Sequence, residues 1–248
     1  SPGARKCAFL FFICPLFCMK VPFNSFAMFF ATPVGQASNP GPDDCIRLAI
    51  CNPTAINKKV GHLLKFEADI VSVSETSATS IVQKAVTREM LSNGYSSFWS
   101  PPVAPKKHTV DCRPSYRGEA VGSALFSRLP TRKTRCEIPL ALQESQRFSS
   151  AVVRFGTCEV LIISLYGFAN RYKEGKRPND LLLASIIPVV NEVGLPYIIC
   201  GDFNEPLVKL PSFQFFKDDG AVEAFDWFHK QFGYKPPPTC GGAPRNDS

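Results

Sequence analysis

The chain has 248 residues, 45% of them apolar, and a formal net charge of +7 at neutral pH. With a mean hydropathy of −0.01 this is the make-up of a soluble chain with a substantial core, which excludes a wholly disordered polypeptide and allows one large domain or two small ones. The positive balance is a moderate bias toward polyanionic partners and is equally compatible with a solubility role.

The chain opens on Arg5 and Lys6, followed by an apolar run from residue 7 to residue 19. That order resembles the head of a leader peptide. Pro15, Lys20, Pro22 and Asn24 interrupt it too often for a membrane span, so a leader, a weak anchor and a non-native flank all remain open. Gly35, Asn39, Pro40, Gly41 and Pro42 make a turn-rich linker. Residues 1–44 are therefore set apart, and one domain is expected over residues 45–248.

Past the linker, Ile46–Cys51 is a short apolar run of strand character. Ile56, Val60, Leu63 and Leu64 recur at helical spacing. Residues 69–74 alternate as a strand, and residues 80–91 again have helical spacing, stopped by Asn93-Gly94. Four strand-like runs follow, at 95–99, 120–126, 150–155 and 159–166, with Gly156-Thr157 as a hairpin turn. Residues 181–193 predict an apolar helix that Pro188 must kink or break. Residues 196–200 are a strand apolar throughout, as when both faces are covered. Residues 218–232 predict a last helix before Pro236, Pro237 and Pro238. Two βα units combined with antiparallel strands predict a mixed α/β sandwich.

Ten cysteines occur without a Cys-x-x-Cys pair or zinc-like Cys/His spacing. Several lie inside apolar runs, so they read as buried free thiols in a reducing, intracellular compartment.

Polar residues stand at the ends of apolar strands in five places: Asn52, Glu75, Tyr166, Asp202 with Asn204, and, in the tail, Asp247. Singly, each has an ordinary explanation: a turn, a cap or a core aromatic with a wet hydroxyl. Together they match the needs of phosphodiester hydrolysis. That reaction requires a cation to offset phosphate charge, a carboxylate to activate water, and donors to hold the phosphate. Mg²⁺ prefers oxygen ligands and keeps several waters, so one or two carboxylates suffice.

Asn52, Ser74-Glu75-Thr76, the segment Gly122 to Arg128, Ser164-Leu165-Tyr166, Gly201-Asp202-Phe203-Asn204 and Arg245-Asn246-Asp247 together resemble the endonuclease/exonuclease/phosphatase superfamily. Its members include the apurinic-type endonuclease domains of non-LTR retrotransposons. The resemblance implies a four-layer α/β sandwich, in which two mixed β-sheets are flanked by helices (DNase I-like). It implies that Glu75 binds Mg²⁺, or Mn²⁺ in its place, with help from Asn52. Asp202 would orient or deprotonate water, Asn204 would hydrogen-bond the phosphate, Tyr166 would contact the phosphate or leaving oxygen, and Asp247 would orient a histidine further along. The family ends on a Ser-Asp-His-like strand. His62, His108 and His229 do not occupy that context, so the chain is expected to stop short of the last strand, with weak activity or none.

Arg171, Lys173, Lys176 and Arg177 follow Tyr166 and are expected on the catalytic face as nucleic-acid contacts. DNA is therefore the favoured substrate. A phosphatase or phosphodiesterase acting on RNA, inositol phosphate or lipid is the second reading, and an inactive nucleic-acid-binding remnant the third. Residues 39–42 resemble the end of the ribosome-skipping peptides that precede some retroelement endonucleases, which implies a reverse transcriptase downstream.

Overall fold

The computed structural model describes residues 8–10, 28–30, 46–104, 121–169, 178–223 and 230. In chain order its elements are β1 (Ala8–Leu10), β2 (Met28–Phe30), β3 (Ile46–Cys51), α1 (Val60–Leu64), β4 (Ile70–Ser74), α2 (Ser80–Ser92), β5 (Ser96–Trp99) and β6 (Ser123–Ser127). They continue with β7 (Thr131–Arg132), α3 (Leu140–Ser145), β8 (Phe148–Phe155), β9 (Cys158–Tyr166), α4 (Pro178–Ala184), α5 (Ile187–Val193), β10 (Tyr197–Asp202), a 3₁₀ turn (Leu207–Lys209), α6 (Phe213–Asp218) and β11 (Ala221–Glu223). No described helix is long and apolar enough to cross a membrane.

Two mixed sheets result. One has the order β11-β1-β10-β9-β8-β7 and the other β2-β3-β4-β6-β5. Within them β3 runs parallel to β4 and β9 parallel to β10. The β4–β6 and β8–β9 pairs are antiparallel.

The two-residue side-chain period decides the layering. Val71 and Val73 of β4 and Ala124 and Phe126 of β6 turn outward onto Val60, Leu63, Val82, Val86 and Met90 of α1 and α2. Leu161, Ile163 and Ile199 of the other sheet turn outward onto Leu182, Val189, Val190, Phe213 and Phe216. Between the sheets lie Leu48, Ile70, Leu125, Ala151, Val153, Ile162, Ile198 and Cys200. The stack is thus helix, sheet, sheet, helix, as expected. Central strands covered on both faces need apolar side chains on both, which accounts for their nearly unbroken hydrophobic runs.

Local chemistry sets the boundaries. Val82, Val86 and Met90 bury one stripe of α2, and Gly94 (φ +81°) lets the chain leave it. The register Phe155↔Cys158 leaves Gly156-Thr157 as the two-residue hairpin loop, with Gly156 at φ +55°. The predicted helix over 181–193 is two helices. Pro188 sits in the first turn of α5, where its missing N–H and fixed φ cost nothing.

Two expectations are corrected. The helix expected over 218–232 is absent over residues 219–223, where α6 has ended at Asp218 and Ala221–Glu223 is a strand, while Lys230 is helical and residues 231–232 lie outside the described residues. Gly220 (φ +89°) reverses the chain there, while Phe213 and Phe216 supply the buried stripe further back. Residues 224–229 lie outside the described residues. Residues 1–44 were set apart from the fold, yet Ala8–Leu10 pairs in parallel with β10 and β11, and Met28–Phe30 pairs antiparallel with β3. Short apolar tripeptides lacking alternation carry no strand signal of their own. Their place depends on the unpaired backbone that a neighbouring strand offers.

Candidate active site

Parallel strands bring their carboxyl ends to one edge, so β3 and β4 deliver Asn52 and Glu75 side by side, and β9 and β10 deliver Tyr166 and Asp202. Contacts across the sheets join the two pairs. The Asn52 Nδ2 group donates to Glu75 Oε2 at 3.1 Å and to Asp202 Oδ2 at 2.9 Å. Its Oδ1 accepts the Thr54 N–H at 2.9 Å. Both protons of the amide nitrogen therefore hold carboxylates from opposite sheets, while the amide oxygen keeps one lone pair beyond the Thr54 contact. The Glu75 carboxylate lies close enough to the Tyr166 hydroxyl to raise its pKa. The Asn204 N–H donates to Asp202 Oδ1 at 3.1 Å, and its Nδ2 donates to the Gly167 carbonyl at 3.1 Å.

The backbone at this edge is bent out of ordinary strand geometry. Glu75, Ser77 and Asn204 have φ of +53°, +48° and +54°, left-handed values that cost a non-glycine residue roughly 1–3 kcal/mol and tend to collect at functional sites. In each case the turn ends a strand abruptly and holds its terminal side chain at the edge. Gly201 has φ +141°, and a Cβ there would fall on the Leu165 carbonyl. Glycine is thus required for β10 to come this close to β9.

Asp202 is 1% exposed. Burial pushes its carboxyl up to about 6, against the lowering effect of the Asn52 amide and the Asn204 N–H, and the Glu75 charge adds to the rise. Tyr166 is raised by burial first and by Glu75 second, with the Arg147 guanidinium opposing, so it stays a neutral phenol. Cys51 and Cys200 are pushed up to about 12 by burial, which keeps them as thiols; the described cysteines are free as expected, but Cys158, at the hairpin, is exposed and Cys51 and Cys136 are only partly buried. Cys51 and Cys200 are not ligands.

No group of three or more His, Cys, Asp or Glu side chains suited to a metal ion gathers among the described residues. The chemistry present fits a different kind of ion. Two carboxylates held together at this edge, Glu75 half-buried and Asp202 buried and disfavoured as an anion, leave negative charge that an oxygen-seeking cation retaining its own waters would offset. A thiol- or imidazole-seeking metal finds no ligand set here.

Asn52, Glu75, Tyr166, Asp202 and Asn204 thus meet at one edge. Asp247 and the basic residues Arg171, Lys173, Lys176 and Arg177 lie outside the described residues, as do His108 and His229. His62 is exposed on α1. Two further basic residues are engaged elsewhere: Arg128 lies 4.5 Å over the Tyr95 ring, and Arg132 grips Glu159 through two hydrogen bonds. Glu159 lies near the start of β9, seven residues and roughly 23 Å from Tyr166 by strand rise.

Two contributors escaped sequence reasoning, and a third was quoted there in a motif without a role. Arg147 stacks over the rings of Tyr166 (4.8 Å) and Phe168 (4.1 Å), and its Nη1 donates to the Gly167 carbonyl at 2.9 Å. Asn179, 4% exposed, accepts the Phe168 N–H at 2.6 Å and donates to Glu205 Oε2 at 3.2 Å, tying the loops after β9 and β10 together. Ser74 is the third. Only the strand register, set by hydrogen bonds between distant segments, places these residues beside Tyr166 and Asp202.

No family model and no curated protein matches the chain. Solved structures do. A 3'-5' exonuclease (NExo) from Neisseria meningitidis superposes with a TM-score of 0.52 at 17% identity, over 74% of this chain and 75% of that one. The 3' phosphatase NExo from Neisseria, solved bound to a product DNA hairpin, gives a TM-score of 0.54 at 16% identity, over 75% and 76%. The chain shares the fold of these structures, a DNase I-like α/β sandwich.

Proposed function

We propose that this chain is a divalent-metal-dependent phosphodiester hydrolase acting on DNA. The observation that carries the proposal is the convergence of Glu75, Asn52, Tyr166, Asp202 and Asn204 from both sheets onto one edge, bridged by the Asn52 amide. The resemblance in fold to an exonuclease and to a 3' phosphatase solved with DNA supports it.

Glu75 and Asn52 would hold the cation, Mg²⁺ or Mn²⁺. When bound, the ion supplies charge neutralisation at the phosphate oxygens. Asp202 takes the water proton. Its raised carboxyl pKa suits a general base near neutral pH. Its two oxygens are aimed by Asn52 and the Asn204 N–H. Tyr166, a neutral phenol, donates to a phosphate or leaving oxygen. Asn204 hydrogen-bonds the phosphate, and Asp247 would orient a histidine on a following strand. Arg171, Lys173, Lys176 and Arg177 track the DNA backbone as cations. By the same resemblance the chain belongs to a retroelement polyprotein in which a reverse transcriptase follows. Sequencing the gene past the codon for Ser248 tests that placement: polymerase motifs support it and their absence overturns it.

Supercoiled plasmid incubated with the full-length protein and Mg²⁺ tests the activity. Nicking that stops with EDTA and in Asp202→Ala and Glu75→Ala supports the proposal. Intact plasmid together with hydrolysis of a phosphoinositide would instead identify a lipid or inositol phosphatase. Tight DNA binding with no turnover would identify a binding remnant.

A further inference from the structure

Ser72 and Ser74 alternate with the helix-facing valines of β4, so both hydroxyls face the opposite sheet. There they meet other buried hydroxyls. Ser72 Oγ donates to Ser164 Oγ at 2.7 Å. Ser123 Oγ donates to the same Ser164 Oγ at 2.8 Å and lies 3.1 Å from Ser149 Oγ. All five serines are buried. The space between the sheets therefore changes along the strands, from apolar contacts at Ile70, Leu125, Ile162 and Ile198 to hydroxyl contacts below the catalytic edge.

Ser74 is the hydroxyl nearest that edge, and its partners differ from those of the other serines. It donates to the Leu165 carbonyl at 2.8 Å and accepts the Asp202 N–H at 3.1 Å. Leu165 precedes Tyr166, and Glu75 follows Ser74 in the chain. One hydroxyl thus ties the ends of β4, β9 and β10, the strands that deliver Glu75, Tyr166 and Asp202. The glycine at position 201 keeps that space open, since a Cβ there would fall on the carbonyl that Ser74 binds.

We propose that Ser74 is a positioning residue that holds the Asp202 carboxylate in register with Glu75 across the two sheets. The proposal rests on the reading of Asp202 and Glu75 as the catalytic and metal-holding carboxylates. Without the hydroxyl, the sheets still pack through Ser72 and Ser164, but the Asp202 backbone loses its cross-sheet tie. A purely structural hydroxyl would affect stability alone. Ser72 is the control, because it is equally buried on the same strand and its hydroxyl meets Ser164 and Cys200, further down β9 and β10, and not Asp202 or Leu165.

The test compares Ser74→Ala with Ser72→Ala in plasmid nicking and in Mg²⁺ titration by calorimetry. Ser74→Ala is expected to lower kcat about tenfold or more, with KM for DNA within about twofold, and to weaken Mg²⁺ binding about fivefold. Ser72→Ala should lower the melting temperature by a similar amount and leave kcat and Mg²⁺ affinity within about twofold. If Ser74→Ala does not fold, Ser74→Cys preserves volume with a weaker hydrogen bond, and an intermediate loss of kcat is expected of it. Equal kcat and Mg²⁺ affinity in the two serine variants would overturn the role of Ser74 while leaving the catalytic reading intact. A full-length wild-type protein that neither nicks DNA nor binds Mg²⁺ would overturn the catalytic reading, and this inference with it.

Discussion

At the scale of the residue, Asp202 carries an uncommon energetic position. Most carboxylates in folded proteins are stabilised as anions, but here burial favours the protonated form and the carboxyl rises to about 6. Between pH of about 4 and about 6 the folded protein holds a proton that the unfolded chain has released. The unfolding free energy therefore falls as pH rises through that window and stays lower above it, by roughly 3 kcal/mol for a shift of this size. Urea unfolding in EDTA at pH 4.5 and pH 7 should show that decline in the wild type and little of it in Asp202→Asn. Identical slopes in the two proteins would refute the assignment. Asn52 is the counterpart. Its amide serves two carboxylates at once, and a hydrogen bond to a charged group contributes about 1.5–3 kcal/mol. Asn52→Ala should lose about that much stability at pH 7 and less at pH 5, where Asp202 is largely protonated. Chemical denaturation at both pH values checks it.

At the scale of the element, strand ends and helix breaks make opposite demands on their residues. Gly201 allows two backbones to touch, and its φ of +141° excludes side chains. Gly201→Ala should cost at least about 2 kcal/mol, since it combines a clash with a forbidden conformation, and should displace Asp202. Thermal melting and nicking should fall together in this variant. Pro188 lies in the first turn of α5, where an N–H is dispensable. Pro188→Ala should therefore shift stability by no more than about 1 kcal/mol. A large loss there would show that the proline fixes the α4–α5 junction and is not simply tolerated in it. Strands β3, β4, β9 and β10 were legible within a residue or two, because their apolar runs and terminal polar residues are local signals. The first part of the helix expected over 218–232 was misread, because the helix that buries Phe213 and Phe216 ends at Asp218 and Ala221–Glu223 is a strand.

At the scale of the whole molecule, the +7 balance leads to a salt prediction. If the basic residues after Tyr166 track a DNA backbone through three to five phosphates, log Kd should rise against log salt concentration with a slope of about 3 to 4.5. Fluorescence anisotropy with a short duplex across a salt series measures it. Replacing Arg171, Lys173, Lys176 and Arg177 with serine should flatten the slope, and an unchanged slope would place the DNA elsewhere. Arg128 and Arg132 should matter little to it, since Tyr95 and Glu159 already engage them.

The amino-acid sequence by itself determined the polar residues at the ends of apolar strands, the alternation of β4 and β6, and the hairpin at Gly156. Each depends on the backbone's own period and on residues within a few positions. Only the tertiary structure decided what those strand ends meet. Asn52 and Asp202 are 150 residues apart, and their contact follows from the register of two sheets packed face to face, which no local pattern encodes. The same holds for Arg147, Asn179 and Ser74. As isolated residues they are an ordinary cation, amide and hydroxyl, and they gain their roles because hydrogen bonding between distant strands leaves one edge where buried charge must be held in place.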